Sequence, residues 1–180
     1  LSYGHGLSIS PMQMIESAAL LLNNNRNFIS TIKKRNINDI YKKNNFISFN
    51  TNKVLLQLML ENVLVGTGKK ARVEGYSIGG KTATGEKVNN KGKYDKTKLV
   101  SSFLSVFPIE NPQYISLVLF DEPSFDKKDK SFGATGGITA APTTAKILKR
   151  ILPILGISKN FNIKPDIMVN DKEKLNLAAY

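Results

Sequence analysis

Two stretches rich in β-branched and aromatic residues follow one another closely, at Leu99–Phe107 and Tyr114–Asp121. The segment between them begins with Pro108 and ends with Pro112, and it is short enough for an antiparallel hairpin. This hairpin constrains the fold more than any other feature of the sequence. The chain must build at least part of an antiparallel sheet, and the remaining elements have to pack around that sheet.

Helix signals flank the hairpin on both sides. Ser10-Pro11-Met12-Gln13 offers a capping serine, a proline suited to the first helical position and a glutamine that completes a capping box. Apolar residues then recur at helical spacing, as they do in two later segments. The three predicted helices begin at the caps Ser10 and Thr51 and at Thr139, and they end at Asn23, Gly66 and Gly156.

A third strand is predicted at Ser77–Lys87, and weaker extended segments at Phe28–Ile32 and Tyr41–Phe49. Helices followed by three consecutive strands and a last helix imply an α+β fold, with an antiparallel sheet flanked by helices. Three strands make a thin sheet for this much apolar sequence, so we expect a partial domain. We assign residues 1–157 to it and residues 158–180 to a polar, loose C-terminal tail.

The net charge of +12 first suggests a polyanionic partner. However, only 4 of the 26 basic residues are Arg, and the Lys pairs are not interleaved with aromatic residues. Proteins that read nucleic acids favour Arg and stacked aromatic side chains, so we predict a solvated basic surface and no nucleic-acid partner. The chain has no Cys and a single His, which argues against disulfides, thiolate metal sites and His-rich metal sites. We expect no metal and no cofactor.

The segment from Gly79 to Lys87 carries the most chemistry, because Lys81 and three following residues begin a predicted strand behind a glycine pair. Strand side chains alternate, so Lys81 and Ala83 face one way and Thr82 and Thr84 the other. A cation and a hydroxyl on an edge strand can bind a substrate carboxylate, and free backbone N–H groups can stabilise an oxyanion. Taken alone, the segment also fits an ordinary exposed strand that carries a lysine.

Further motifs surround this strand. They are Tyr3-Gly4-His5-Gly6 before Ser10-Pro11-Met12-Gln13, Gly66-Thr67-Gly68 before Ala71, Asp121-Glu122-Pro123, and Ala134-Thr135-Gly136-Gly137 before Ala140-Ala141-Pro142. Together with Gly80-Lys81-Thr82-Ala83-Thr84, and in this order, they resemble motifs of the penicillin-binding protein transpeptidases, specifically the division-type (septal) class B enzymes. The resemblance extends over roughly residues 1–157.

This resemblance implies a peptidoglycan D,D-transpeptidase that cross-links stem peptides in septal cell-wall synthesis through a serine acyl-enzyme, and that binds β-lactams. Lys81 would support proton transfer and attract the substrate carboxylate, which Thr82 would bind. The backbone N–H of Thr84 would be one of two oxyanion donors. Ala83 stands at a substrate-binding position where the family has glycine.

The resemblance also places the family's S-x-x-K nucleophile and S-x-N motif before Tyr3, so we expect the isolated chain to be inactive. The expected location is the periplasmic side of the bacterial inner membrane, with the anchor outside this chain. Expected partners are stem peptides, β-lactams and other division proteins. Three internal matches have the wrong spacing and are attributed to chance: Ser30–Lys33, Ser124–Lys127 and Ser48–Asn50.

Two other functions stay open at this point. A β-lactamase or β-lactam sensor would share the Lys-Thr motif, and a basic non-enzymatic binding module would account for the charge. Asp121 and Glu122 could be paired catalytic carboxylates. We predict instead that they anchor a loop with their side chains on opposite sides, and that His5 is structural.

Overall fold

The computed structural model describes residues 7–23, 26–27, 30, 33, 42–43, 47–124 and 133–162. Within these residues the helices are α1 (Pro11–Leu22), α2 (Phe49–Leu64) and α3 (Ala140–Ile154). The strands are β1 (Arg26–Asn27), β2 (Lys42–Lys43), β3 (Gly79–Val88), β4 (Tyr94–Phe107) and β5 (Tyr114–Asp121). None of the described helices is long and apolar enough to cross a membrane.

The main sheet contains β3, β4 and β5 in that order, and both strand pairs are antiparallel. The predicted α+β class is confirmed, and so is the hairpin between β4 and β5. β1 and β2 form a separate antiparallel pair. β4 lies in the centre of the main sheet, so β3 is an edge strand within the described residues.

The hairpin that β3 and β4 form is longer than the sequence predicted, because β4 starts at Tyr94 rather than at Leu99. The predicted start of β3 at Ser77 is also wrong by two residues. Between the strands, the N–H of Asn89 donates to the carbonyl of Lys93 at 2.8 Å, and Gly92 has a φ of +73°. This tight turn lets polar, exposed residues continue the pairing where no apolar pattern marks a strand.

Serine hydroxyls cap the N-terminal ends of α1 and α2. The hydroxyl of Ser10 accepts from the N–H of Gln13, whose side chain accepts in return from the N–H of Ser10, as predicted. The prediction that Thr51 caps α2 is wrong. Ser48 is the cap, and its hydroxyl accepts from the N–H of Thr51 at 3.0 Å. Phe49, predicted to end an extended segment, is therefore the first residue of this helix.

Apolar layers cover both faces of the sheet. Phe107 of β4 packs with Leu148 and Leu152 of α3 on one face. Val106 packs with Met59 of α2 on the other. Since residue 106 and residue 107 point to opposite faces, the sheet is enclosed between α3 on one side and α1 with α2 on the other. The edge strand β3 is thus held in a rigid frame.

Some predictions fall on residues outside the described ranges. They concern His5 with the rest of the first motif before Leu7, the Ser124–Lys127 match beyond Ser124, and the tail beyond Asn162. They stay predictions. The same holds for the proposed division of the chain at residue 157.

Candidate functional site

The two threonines of β3 point to the face of the sheet that α3 covers. Thr82 lies directly opposite Phe103 in the β3–β4 pairing, and Thr84 lies opposite Ser101. Opposed residues in an antiparallel pair share a face, and Phe103 packs against Ala140 at the start of α3. Lys81 is paired with Leu104 and therefore points to the other face.

The backbone of β3 alternates between its neighbour and the open edge. The carbonyl of Gly80 accepts from Asn62 Nδ2 at 2.8 Å, and the carbonyl of Thr82 accepts from Lys81 Nζ at 2.6 Å. Both carbonyls therefore point away from β4. The N–H and C=O of one residue point to the same edge and alternate along the strand, so the N–H of Thr84 also lies on the open edge.

The start of β3 is fixed by the close approach of its neighbours. A Cβ at Gly80 would collide with the ring of Phe103 and lie 2.8 Å from the carbonyl oxygen of Leu104. A Cβ at Gly79 would meet Ile109 and would lie 3.1 Å from Met59 Cβ. The glycine pair is thus required because helix α2 and strand β4 press on the backbone at this point.

The loop after α2 holds the first threonine of the strand. Thr67 Oγ1 lies 2.8 Å from Thr82 Oγ1 and donates to Asn62 Oδ1 at 3.0 Å. Asn62 lies in the last turn of α2 and also donates to Gly80. The Gly66-Thr67-Gly68 motif therefore connects the helix to the hydroxyl of Thr82.

The glycine loop before α3 holds the second threonine. The N–H of Gly136 donates to Thr84 Oγ1 at 3.1 Å. A Cβ at Gly136 would collide with the carbonyl of Ser102 and lie 2.6 Å from that of Ala83. Gly136 thus lies directly over the Ala83–Ser102 pair, and the absence of a side chain allows the loop to approach the strand this closely.

Within the described part of the chain, the opposite face of the strand around Lys81 and Ala83 is open to solvent. Lys81 and Ala83 are both exposed, and a Cβ at Gly85 would have no heavy atom within 4 Å. The ammonium of Lys81 lies at the free edge, where it contacts the carbonyl of Thr82. The structure therefore brings a cation, two hydroxyls and an N–H on the open edge together within four consecutive residues.

Asp121 and Glu122 anchor a loop, but one detail of the prediction is wrong. Both carboxylates bind the same cation, Lys87 Nζ, at 3.1 and 2.8 Å, so they do not point to opposite sides. Glu122 has a φ of +48°, which turns its side chain back toward Lys87. The hydrogen bond that Lys87 donates to Glu122, followed by the one it donates to Asp121, raises the pKa of Lys87 above its usual value.

Two of the internal motif matches have structural roles. The hydroxyl and the N–H of Ser30 both donate to Glu16 Oε1, and these bonds lower the pKa of the Glu16 carboxyl. Ser48 caps α2. Among the described residues, no group of three or more His, Cys, Asp or Glu side chains is arranged to hold a metal ion.

Sequence reasoning missed three contributions to the site. It noted Gly66-Thr67-Gly68 and Gly136-Gly137 as motifs but gave them no contact with β3, and it gave Asn62 no role. The signal for the loops was their glycines, which mark close backbone approach. Nothing in the sequence around Asn62 distinguishes it from the many other asparagines of this chain.

The amino-acid sequence of this chain is similar to those of one known protein family. The model of the penicillin-binding protein transpeptidase domain matches residues 1–149. The chain is 36% identical over 166 residues to a probable peptidoglycan D,D-transpeptidase FtsI of Caulobacter vibrioides, covering 88% of this chain and 28% of that protein. It is also 36% identical over 174 residues to peptidoglycan D,D-transpeptidase FtsI of Buchnera aphidicola, covering 92% of this chain and 27% of that protein.

A solved structure supports the same grouping. The transpeptidase domain of Burkholderia pseudomallei penicillin-binding protein 3, in its apo form, superposes with a TM-score of 0.73 at 30% identity, covering 88% of this chain and 46% of that one. The chain spans about a quarter of the length of the curated relatives named above and less than half of this solved domain.

Proposed function

The chain belongs to the penicillin-binding protein transpeptidase family, and from this premise we propose that it forms the substrate-binding edge of a septal peptidoglycan D,D-transpeptidase. The observation that carries the proposal is the set of polar groups at the open edge of β3. Its open edge presents the N–H of Thr84, and the ammonium of Lys81 and the hydroxyls of Thr82 and Thr84 lie beside it.

Each group has a role in acyl transfer from a stem peptide or a β-lactam to a serine. Lys81 attracts the substrate carboxylate and supports proton transfer, and Thr82 donates a hydrogen bond to the carboxylate. The N–H of Thr84 donates to the oxyanion that forms when the serine attacks the carbonyl. Ala83 flanks the substrate. Charge-assisted hydrogen bonds of this kind contribute roughly 1.5–3 kcal/mol each.

The nucleophile is not among these groups. Because the matched relatives are far longer than this chain, we place the S-x-x-K serine and the S-x-N motif in a part of the protein that precedes residue 1. The complete enzyme would act on the periplasmic side of the bacterial inner membrane, with other division proteins as partners. A β-lactamase or a basic binding module is not favoured, because the relatives named above are D,D-transpeptidases.

Labelling with fluorescent penicillin V tests the proposal. The full-length protein that carries this chain is expected to form a stable covalent adduct, whereas residues 1–180 alone are expected to form none. Catalytic turnover of the β-lactam without a lasting adduct would instead indicate a β-lactamase. Failure of the full-length protein to react, combined with salt-sensitive binding to a polyanion, would support the basic module.

A further inference from the structure

The side chains of Asn62, Thr67 and Thr82 form a continuous hydrogen-bond network at the edge strand. Asn62 Nδ2 donates to the carbonyl of Gly80 at 2.8 Å, and Asn62 Oδ1 accepts from Thr67 Oγ1 at 3.0 Å. Thr67 Oγ1 in turn lies 2.8 Å from Thr82 Oγ1. This network connects helix α2 to the hydroxyl of Thr82, to which we assign carboxylate binding.

The donor and acceptor capacities of these groups determine which group donates in each hydrogen bond of the network. The carbonyl of Gly80 can only accept, so the NH₂ of Asn62 faces it and the amide oxygen faces Thr67. That oxygen can also only accept, so the single hydroxyl proton of Thr67 is directed to Asn62. The oxygen of Thr67 is then left as an acceptor, and Thr82 must be the donor.

Thr84 has the opposite arrangement. Its hydroxyl oxygen accepts from the N–H of Gly136, and within the described ranges no hydrogen bond uses its proton. The two threonines lie on one face of the strand, roughly 7 Å apart along its axis. An incoming carboxylate therefore finds a donor ready at Thr84, whereas the proton of Thr82 is already held by Thr67.

We infer that Thr67 is a positioning residue that withholds the hydroxyl proton of Thr82 from anionic ligands. A carboxylate obtains this proton only by replacing Thr67 as the acceptor, after which Thr67 can turn its own proton from Asn62 to Thr82. Thr67 thereby weakens ground-state binding of the carboxylate. This inference rests on the proposed function, because it takes Thr82 as a ligand of the substrate carboxylate.

The test uses Thr67→Val in the full-length protein, since valine keeps the shape of the side chain but cannot accept a hydrogen bond. The Kd for penicillin V before acylation is expected to fall roughly two- to tenfold, which is the range of a net neutral hydrogen bond. This Kd is measured separately from the acylation rate constant at saturation, so that a change in binding is distinguished from a change in the chemical step. Thr67→Ser keeps the acceptor and should restore the wild-type Kd.

Two controls separate this effect from a structural one. Penicillin V methyl ester has no anionic carboxylate and its ester oxygens are weaker acceptors, so Thr67→Val should lower its Kd less than it lowers the Kd for penicillin V. In a Thr82→Val background the Thr67→Val substitution should have no effect. Should Thr67→Val unfold the protein, as judged by circular dichroism, Thr67→Ala carries the same expectations.

A Kd for penicillin V that is unchanged or higher in the Thr67 variant would overturn the inference, as would a change that persists in the Thr82→Val background. Wild-type protein that penicillin V does not acylate at all would refute the proposed function, and the inference with it. Normal acylation of the wild type with no gain in affinity for the variant would refute the inference alone.

Discussion

The proximal half of β3, from Gly79 to Thr84, and its distal half, from Gly85 to Val88, are held in place by different contacts. From Gly79 to Thr84 the strand contacts the end of α2, the Thr67 loop and the Gly136 loop, through hydrogen bonds and through glycines that leave no room for a side chain. From Gly85 to Val88 no comparable contacts exist within the described residues. A Cβ at Gly85 would meet nothing, and the pairing with β4 is irregular between Glu86 and Lys87.

In the distal half, the ion pairs of Lys87 with Asp121 and Glu122 connect β3 to the end of β5 across the sheet. These contacts are exposed, and exposed ion pairs contribute little to stability. The comparison indicates that rigid packing is concentrated where the proposed chemistry occurs. Substitutions matched between the two halves can test this.

The largest expected difference concerns the two lysines of the strand. Lys81→Ala should lower the acylation rate of the full-length protein by about 10²–10⁴-fold, the usual contribution of a group that assists proton transfer. Lys87→Ala is the matched control and should acylate as the wild type does, because the ion pairs of Lys87 within the described part of the chain are with Asp121 and Glu122, which lie outside the proposed site. Rates are measured with labelled penicillin V. Equal rates for wild type and Lys81→Ala would remove Lys81 from the mechanism.

The next difference concerns two glycines. Gly136→Ala places a methyl group against the carbonyls of Ser102 and Ala83, which can yield only if the sheet moves. We expect the free energy of unfolding to fall by about 1–3 kcal/mol, as for other overpacked sites. Gly85→Ala should be neutral or slightly stabilising, because its methyl group meets nothing and alanine restricts the unfolded chain. Urea titration gives both values, and similar losses would contradict the comparison.

The sequence predicted the elements of the proximal half better than their contacts. Apolar periodicity located α1 and α3, with a capping box marking the start of α1, and the alternation of the strand oriented Lys81 and Thr82 correctly. The hydrogen bond between Thr67 and Thr82 could not be predicted, because it depends on how α2 and its loop approach the sheet. That approach is tertiary packing, which periodicity does not encode.

The distal half was harder to predict for a different reason. Residues 94–98 are polar and, apart from the half-buried Asp95, exposed, so no apolar pattern identified them as strand. Tyr94 and Asp95 pair with Val88 and Lys87 because the turn at Gly92 brings the two strands together regardless of side-chain polarity. The turn of Glu122 toward Lys87 likewise depends on a positive φ that is uncommon for glutamate.

A smaller effect is expected at Ala83, which lies between the two threonines. Its methyl group is exposed and shares a face with Lys81, whereas Gly136 approaches the backbone from the face of Thr84. Ala83→Gly should therefore change acylation by less than roughly tenfold, and glycine in a strand should cost about 0.5–1 kcal/mol of stability. Acylation kinetics and urea titration measure the two effects. A hundredfold gain in acylation would show that the alanine impairs this protein.

The smallest effect is expected from Lys87→Gln, which removes the ion pairs of the distal half. Since Glu122 and then Asp121 raise the pKa of Lys87 in the folded protein, these pairs stabilise the fold at neutral and mildly alkaline pH. This contribution is lost as the pH rises above the usual lysine pKa of 10.5 and through the raised folded value.

Wild type should thus unfold at slightly higher urea than Lys87→Gln at about pH 8. The difference should shrink as the pH rises past 10.5 and through the raised pKa of Lys87, and it should also shrink in about 1 M salt. Lys91→Gln, in the exposed turn, is the matched control and should show no pH-dependent difference. The penalty of Gly136→Ala should persist in high salt, because steric overlap is not screened. A Lys87→Gln difference that survived high salt would mean that packing also fixes the distal half, and the contrast between the two halves would fail.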